Sequence, residues 1–241
     1  RPAATIAAVP AHPGREVYTA ATATSENTAA RAKLTMRMSN TVALLAMVHS
    51  SPLPAIALPG TTIDRMVASR STSPAMTEID TGRTVTYAEL NALADAAAGR
   101  LRTRGVASGS VVEVRLANSI DFAVALLAVA RTGAATALIG PSLLDAEASR
   151  LSALAGTTHR VEPADLVPGS AQAWTASDPD VVAVIPFSSG TTGMPKGVEL
   201  THRSITANAA QFNAALAASS IGEGTRVAAP LPFSHIYGLN T

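Results

Sequence analysis

The chain has 241 residues, 47% of them hydrophobic and only 15% charged, with 18 Lys+Arg against 17 Asp+Glu for a formal net charge of +1. That length and apolar content suit one large globular domain or two small ones, and so balanced a charge argues against a nucleic-acid partner, which needs a basic field. With no cysteine there is no disulfide, thiolate nucleophile or Cys-ligated zinc, and the 5 His show no metal-ligand spacing.

The chain begins at Arg1 and ends in a loop-like Gly238-Leu239-Asn240-Thr241, so both ends read as cuts. The apolar run 42–48 follows Arg31, Lys33 and Arg37 and imitates a secretory signal. It is internal and far too short to cross a bilayer, so no stable membrane span is expected and the cytoplasm fits best. Residues 1–59, rich in Ala and Thr, are expected to be a disordered or non-native leader, with Met36 or Met38 as alternative natural starts.

Regular patterning begins at Thr86. Thr86 and Glu89 form a capping box, and Leu90, Leu93, Ala94, Ala97 and Leu101 recur at helical spacing until Gly105. Residues 111–116 read as a β-branched strand and 120–131 as an apolar helix closed by Gly133. Residues 134–139 read as a strand, 144–155 as a helix ended by Gly156, and 159–161 as a short strand. Around Trp174, residues 162–180 shift to Pro, Ser, Asp and Gly and mark an internal connection before a buried strand at 181–185. Strand and helix alternate, which predicts an α/β fold of three layers around a mainly parallel sheet.

Directly after that last strand comes Phe187-Ser188-Ser189-Gly190-Thr191-Thr192-Gly193-Met194-Pro195-Lys196-Gly197, then Thr201-His202-Arg203-Ser204 opening a further helix. Glycines allow close backbone approach, and hydroxyls, main-chain N–H groups and one ammonium suit the oxygens of a polyphosphate. In parallel sheets such a loop stands at a strand's carboxyl end, where ligands bind. A Walker loop needs four residues between its glycines and Ser or Thr after the lysine. Here Gly190 and Gly193 enclose two, and Gly197 follows Lys196, so an ordinary P-loop NTPase is disfavoured.

The segment resembles, position for position, the phosphate-binding signature of the adenylate-forming superfamily, which includes acyl- and aryl-CoA ligases, luciferases and peptide-synthetase adenylation domains. Thr84-Val85-Thr86-Tyr87-Ala88-Glu89-Leu90 resembles that family's early Thr-Tyr-x-Glu-Leu element, and Ala117-Asn118-Ser119 and Gly133 fall where it places its next helix. Leu231-Pro232-Phe233-Ser234-His235-Ile236-Tyr237-Gly238 resembles its substrate-side motif. The resemblance covers residues 60–241, a partial adenylate-forming domain.

It implies that Ser188, Ser189, Gly190, Thr191, Thr192, Gly193 and Lys196 hold the phosphates of ATP, with Mg²⁺ recruited by the nucleotide and no metal site of the protein's own. It implies that His235 stands between the substrate carboxylate and the thiol path, making Lys196 and His235 the expected catalytic residues. Tyr237 would line the acid pocket, and Thr241 would occupy another pocket position. His202 and Arg203 read as helix-start and packing residues, and His12, His49 and His159 as surface or structural ones. The expected substrate is a small carboxylic acid, and the acceptor is coenzyme A or a carrier protein's pantetheine arm.

Amino-acid-activating members usually carry Asp directly after the residue matching His235, where this chain has Ile236. A free amino acid is therefore a poor fit. The Pro-Phe-Ser-His-Ile-Tyr-Gly-Leu-Asn run resembles 4-coumarate and fatty acyl-CoA ligases, with apolar Ile236 and aromatic Tyr237 suited to a hydrophobic tail. A fatty acyl-AMP ligase loading a carrier protein is the nearest alternative, and a truncated pseudoenzyme that only binds is a third. The family's adenine-binding motif, ribose-binding aspartate and C-terminal domain would follow Thr241, so negligible ligase activity is expected of these residues alone.

Overall fold

Parallel strands can pair only through long crossovers, and alternating apolar strands and helices supply them between residues 111 and 185. The computed structural model describes residues 45–48, 62–63, 71–175, 177–188, 195–217 and 225–240. In chain order they form β1 (Leu45–Val48), β2 (Pro74–Glu78), β3 (Thr84–Thr86), α1 (Tyr87–Thr103), β4 (Val111–Val114), α2 (Ile120–Thr132), β5 (Ala135–Leu138), α3 (Asp145–Ala155) and β6 (His159–Arg160). A 3₁₀ turn (Pro163–Asp165) leads to β7 (Val182–Ile185), β8 (Phe187–Ser188), β9 (Lys196–Gly197), β10 (Leu200–Thr201), α4 (His202–Ala217), β11 (Arg226–Ala229) and α5 (Ile236–Asn240).

The central sheet has the order β10-β7-β5-β4-β6. β7, β5, β4 and β6 run parallel and β10 runs antiparallel to β7. The chain moves from β4 through α2 to β5, then back past β4 through α3 to β6. Right-handed crossovers made in opposite directions put their helices on opposite faces, and burial along β4 agrees. Val112 and Val114 enter the main core with Phe122, Val124 and Ala128 of α2. Glu113, between them, points the other way and takes the hydroxyl of Ser152 on α3. The predicted three-layer α/β body is thus present, with element ends within two residues of those predicted from 111 to 185. Gly133 (φ 80°) and Gly156 (φ 67°) end α2 and α3 in the left-handed conformation that glycine takes without steric cost.

A second sheet, order β11-β1-β2-β3, is antiparallel throughout. The sequence reading misses it. Its strands are short, and Pro74-Ala75-Met76-Thr77-Glu78 lacks the β-branched enrichment that marks β4. Its strand β1 comes from the signal-like apolar run: Leu45 pairs with Ala229 and Glu78, and Met47 with Val227 and Met76. Residues 45–48 thus lie in a sheet, within the stretch 1–59 that the sequence reading assigns to a leader. Among the described residues no helix is long and apolar enough to cross a membrane.

α1 begins with the predicted capping box: the Glu89 N–H donates to Thr86 Oγ1 (3.1 Å) and the Thr86 N–H to Glu89 Oε2 (2.8 Å). These bonds, the Thr86 N–H first and then its hydroxyl, hold the Glu89 carboxyl below the usual glutamate range. A depressed folded pKa contributes stability that is complete above the unfolded value and lost as pH falls through the folded one. Thr86→Ala is expected to cost about 1 kcal/mol at neutral pH, and the gap to the parent to narrow on acidification. Urea unfolding at several pH values measures both.

The 162–180 connection lies along the ends of α1 and α2. Arg104 pairs with buried Asp165, Arg100 donates to the Pro168 carbonyl (2.8 Å), and Ser177 Oγ donates to the Ala130 carbonyl (3.2 Å). Trp174 packs against Arg131, whose guanidinium carbon stands 5.1 Å from the ring centre.

Candidate functional site

Beyond β7 the chain turns through buried Pro186 into β8 and returns as β9, closing an antiparallel hairpin in which Phe187 faces Gly197 and Ser188 faces Lys196. The Val198 N–H donates to the Pro186 carbonyl at 2.9 Å and ties the hairpin's base to the end of β7. Directly opposed residues hold their Cβ atoms about 5 Å apart on one face. The Ser188 hydroxyl and the exposed Lys196 ammonium therefore stem from the same face of the hairpin. The sequence reading expects one continuous loop here and misses these two short strands. Ser189, Gly190, Thr191, Thr192 and Gly193 lie outside the described residues.

The second predicted motif follows β11. Exposed His235 donates its N–H to the Pro232 carbonyl (3.0 Å) and accepts the Leu239 N–H (3.0 Å), opening α5. Tyr237 lies within α5, and Thr241 lies outside the described residues. Gly238 packs so closely that a Cβ there would come within 2.7 Å of the Leu231 carbonyl oxygen.

Topology relates the two motifs. β4 and β7 are parallel and flank β5, so the segments leaving them emerge at the same sheet edge, two strand spacings or about 10 Å apart. The segment leaving β7 is the Ser188–Lys196 hairpin. The segment leaving β4 contains Asn118, which hydrogen-bonds the backbone of Leu231 and Phe233. The His235 motif is thereby seated at the carboxyl edge that carries the hairpin. In its motif, Asn118 reads only as part of a helix start. The overlooked signal is the tandem Asn118-Ser119, since Ser119 alone caps α2 by accepting the Phe122 N–H (3.1 Å). Glu78 was also missed: buried in β2, it accepts the Ile120 N–H at 2.9 Å and links the antiparallel sheet to the start of α2.

His202 and Arg203 take structural places. His202 is fully buried at the start of α4, its Nδ1 accepting the Ile63 N–H at 3.4 Å. Arg203 forks onto Asp180 at 2.5 and 2.7 Å. His159 contacts the Thr158 hydroxyl (2.9 Å) and the Arg104 carbonyl (3.2 Å). An open cavity of about 510 Å³, lined in part by Arg102, Arg131, Gly133, Trp174 and Val181, lies at the opposite edge, where β5 and β7 begin. Arg131 is engaged there by Asp95 and Trp174.

The layered α/β sheet thus carries the Ser188–Lys196 hairpin and the His235 motif at one carboxyl edge. The chain belongs to the AMP-binding enzyme family, whose model matches residues 63–241. It is 33% identical over 201 residues to 4-coumarate–CoA ligase 3 of Oryza sativa subsp. japonica, covering 70% of this chain and 36% of that protein. It is 32% identical over 165 residues to tyrocidine synthase 3 of Brevibacillus parabrevis, covering 60% of this chain and 2% of that protein. Among solved structures, the inhibitor-bound N-terminal domain of FACL13 from Mycobacterium tuberculosis aligns with a TM-score of 0.62 and 26% identity, over 74% of this chain and 53% of that one. The chain spans less than half the length of the plant ligases it matches, 36% and 43% for two of them.

Proposed function

We propose that the chain is the N-terminal part of an ATP-dependent acid:thiol ligase that activates a carboxylic acid with a hydrophobic tail, aryl or fatty, and passes the acyl group to CoA. The observation that carries the reading is the Ser188–Lys196 hairpin at the carboxyl end of β7. On this reading the hydroxyls of Ser188, Ser189, Thr191 and Thr192 and the backbone of Gly190 and Gly193 cradle the phosphates, and Lys196 offsets charge on the departing pyrophosphate. A substrate carboxylate oxygen attacks the α-phosphorus, the bond to the β-phosphate bridging oxygen breaks, and pyrophosphate leaves with that electron pair. The protein need supply no nucleophile, only positioning and fixed charge. Mg²⁺, entering on the triphosphate, would neutralise further charge there. His235 then stands beside the acyl carbonyl on the thiol side, and Tyr237 and Thr241 line the acid pocket. Cytoplasm is the proposed location, since ATP and CoA are available there.

The 4-coumarate–CoA ligase relatives support CoA as the acceptor, and Ile236 after His235 argues against an amino-acid substrate. The match to tyrocidine synthase 3 keeps a carrier-protein acceptor as the second reading. The test is ATP–pyrophosphate exchange by the full-length ligase with 4-coumarate, decanoate or phenylalanine as probe acids. Exchange that requires 4-coumarate or decanoate and ignores phenylalanine is the expected result. ATP hydrolysis without any acid, or exchange with phenylalanine alone, would refute the reading. Adding CoA decides the acceptor: a thioester forms if CoA is used, and the acyl-adenylate persists if a carrier is required.

A further inference from the structure

We propose that Asn118 is a positioning residue for His235, holding the backbone that presents the histidine at the carboxyl edge of the parallel sheet. The proposal rests on the role given to His235 above. Asn118 stands between β4 and α2 but leaves the capping of α2 to Ser119. Its whole amide is spent on one distant segment. Oδ1 accepts the Phe233 N–H at 2.8 Å, and Nδ2 donates to the Leu231 carbonyl at 2.7 Å and to the Ala229 carbonyl at 3.4 Å. Those partners lie 111 to 115 residues away in sequence.

The chemistry explains why an amide stands there. Only Asn and Gln offer an acceptor and two donors on one planar head. Asp would keep the acceptor and turn its second oxygen against two carbonyls. Leu would fill the space and leave all three backbone groups without this partner. Asn118 is only 8% exposed, so water does not readily replace what it supplies. Two further contacts hold the same turn. The Phe233 ring, itself buried, packs on Phe122 of α2 with centroids 5.4 Å apart at 49°. In addition, the Gly238 backbone lies so near the Leu231 and Pro232 carbonyls that a side chain there would not fit. His235 follows Phe233 by two residues, and its own N–H is bonded back to Pro232. The imidazole thus leaves a backbone tied to the strand-to-helix junction that follows β4. Misplacing a reacting group by about 1 Å can cost on the order of 100-fold in rate, so a residue that sets this backbone sets the rate.

The experiment has two arms. In this 241-residue chain, amide exchange by NMR is followed at Phe233. The amide is expected to be protected in the parent and to exchange at least tenfold faster in Asn118→Ala, with β4 and β5 unchanged. In the full-length ligase with 4-coumarate as probe acid and CoA as acceptor, Asn118→Ala is expected to lower the kcat of thioester formation about 10- to 100-fold, with KM for the acid within about threefold. On a His235→Ala background the same substitution is expected to cost less than about threefold, because partners acting as a unit are not additive. If Asn118→Ala does not fold, Asn118→Ser is read in the same way, and the parent's Phe233 protection stands independently of any variant. An unprotected Phe233 amide in the parent, or an undiminished Asn118→Ala loss on the His235→Ala background, overturns the proposal alone. A His235→Ala enzyme with unchanged kcat overturns the reading of His235, and this proposal with it.

Discussion

Lys196→Ala is expected to lower acid-dependent ATP–pyrophosphate exchange in the full-length ligase by about 100- to 1,000-fold, the usual loss when one fixed donor aimed at developing charge is removed. Lys196 opens β9 directly opposite Ser188, so hairpin pairing rather than a free loop aims its stem. A charge held in place by backbone pairing costs little reorganisation when pyrophosphate departs, whereas bulk water would have to reorient. The loss is expected chiefly in kcat, since the leaving group gains charge as the bond breaks. Lys196→Arg keeps the cation on a longer, planar head and is expected to recover part of the rate. The Lys196 side chain is exposed, so both variants are expected to unfold within about 0.5 kcal/mol of the parent. Exchange kinetics with 4-coumarate, beside urea unfolding of the same preparations, make the comparison. An unchanged rate in Lys196→Ala would leave the hairpin as scaffold and remove the observation on which the proposed function stands.

The elements from α1 to β7 were legible because each carries a local signal that the tertiary structure leaves standing. Thr86 and Glu89 form their box within four residues, and Gly133 and Gly156 stop helices whose apolar periodicity ends beside them. The antiparallel sheet was not legible, because its order comes from partners far apart in sequence. Leu45 finds Ala229, and Glu78 finds the amide of Ile120, and neither pairing leaves a trace in the neighbouring residues. The candidate site divides in the same way. Ser188 and Lys196 were visible as a local cluster of hydroxyls, glycines and one cation, but not as cross-strand partners. His235 was visible by resemblance, while Asn118, which ties that motif to the sheet edge, looks like an ordinary helix-start residue until its three distant partners are seen.

The largest stability loss is expected at Arg131, which ties α1, α2 and the 162–180 connection together. Its guanidinium is 1% exposed beside an Asp95 carboxylate that is 4% exposed, at 2.9 Å. It also donates to the Asn91 backbone carbonyl (2.9 Å) and to Asn91 Oδ1, and packs against Trp174. α2 is thereby fastened to α1, and the 162–180 connection to both. Arg131→Met keeps most of the volume but leaves the Asp95 carboxylate buried without its cation and Asn91 without two donors. Breaking a buried pair from one side costs about 3–5 kcal/mol, a large share of the roughly 5–15 kcal/mol available to a domain. Taking both charges out of water was itself expensive, so the double variant Arg131→Met with Asp95→Leu is expected to recover most of the loss. Urea titration of the parent, both single variants and the double variant completes the cycle. The sole tryptophan, Trp174, lies against the guanidinium and reports the local transition by fluorescence, while circular dichroism reports the helices. Coincident midpoints in the two signals would show that the connection unfolds with the α1–α2 layer. A double variant no more stable than Arg131→Met would instead mean that the layer depends on the hydrogen bonds to Asn91 and the contact with Trp174 rather than on the balance of buried charge.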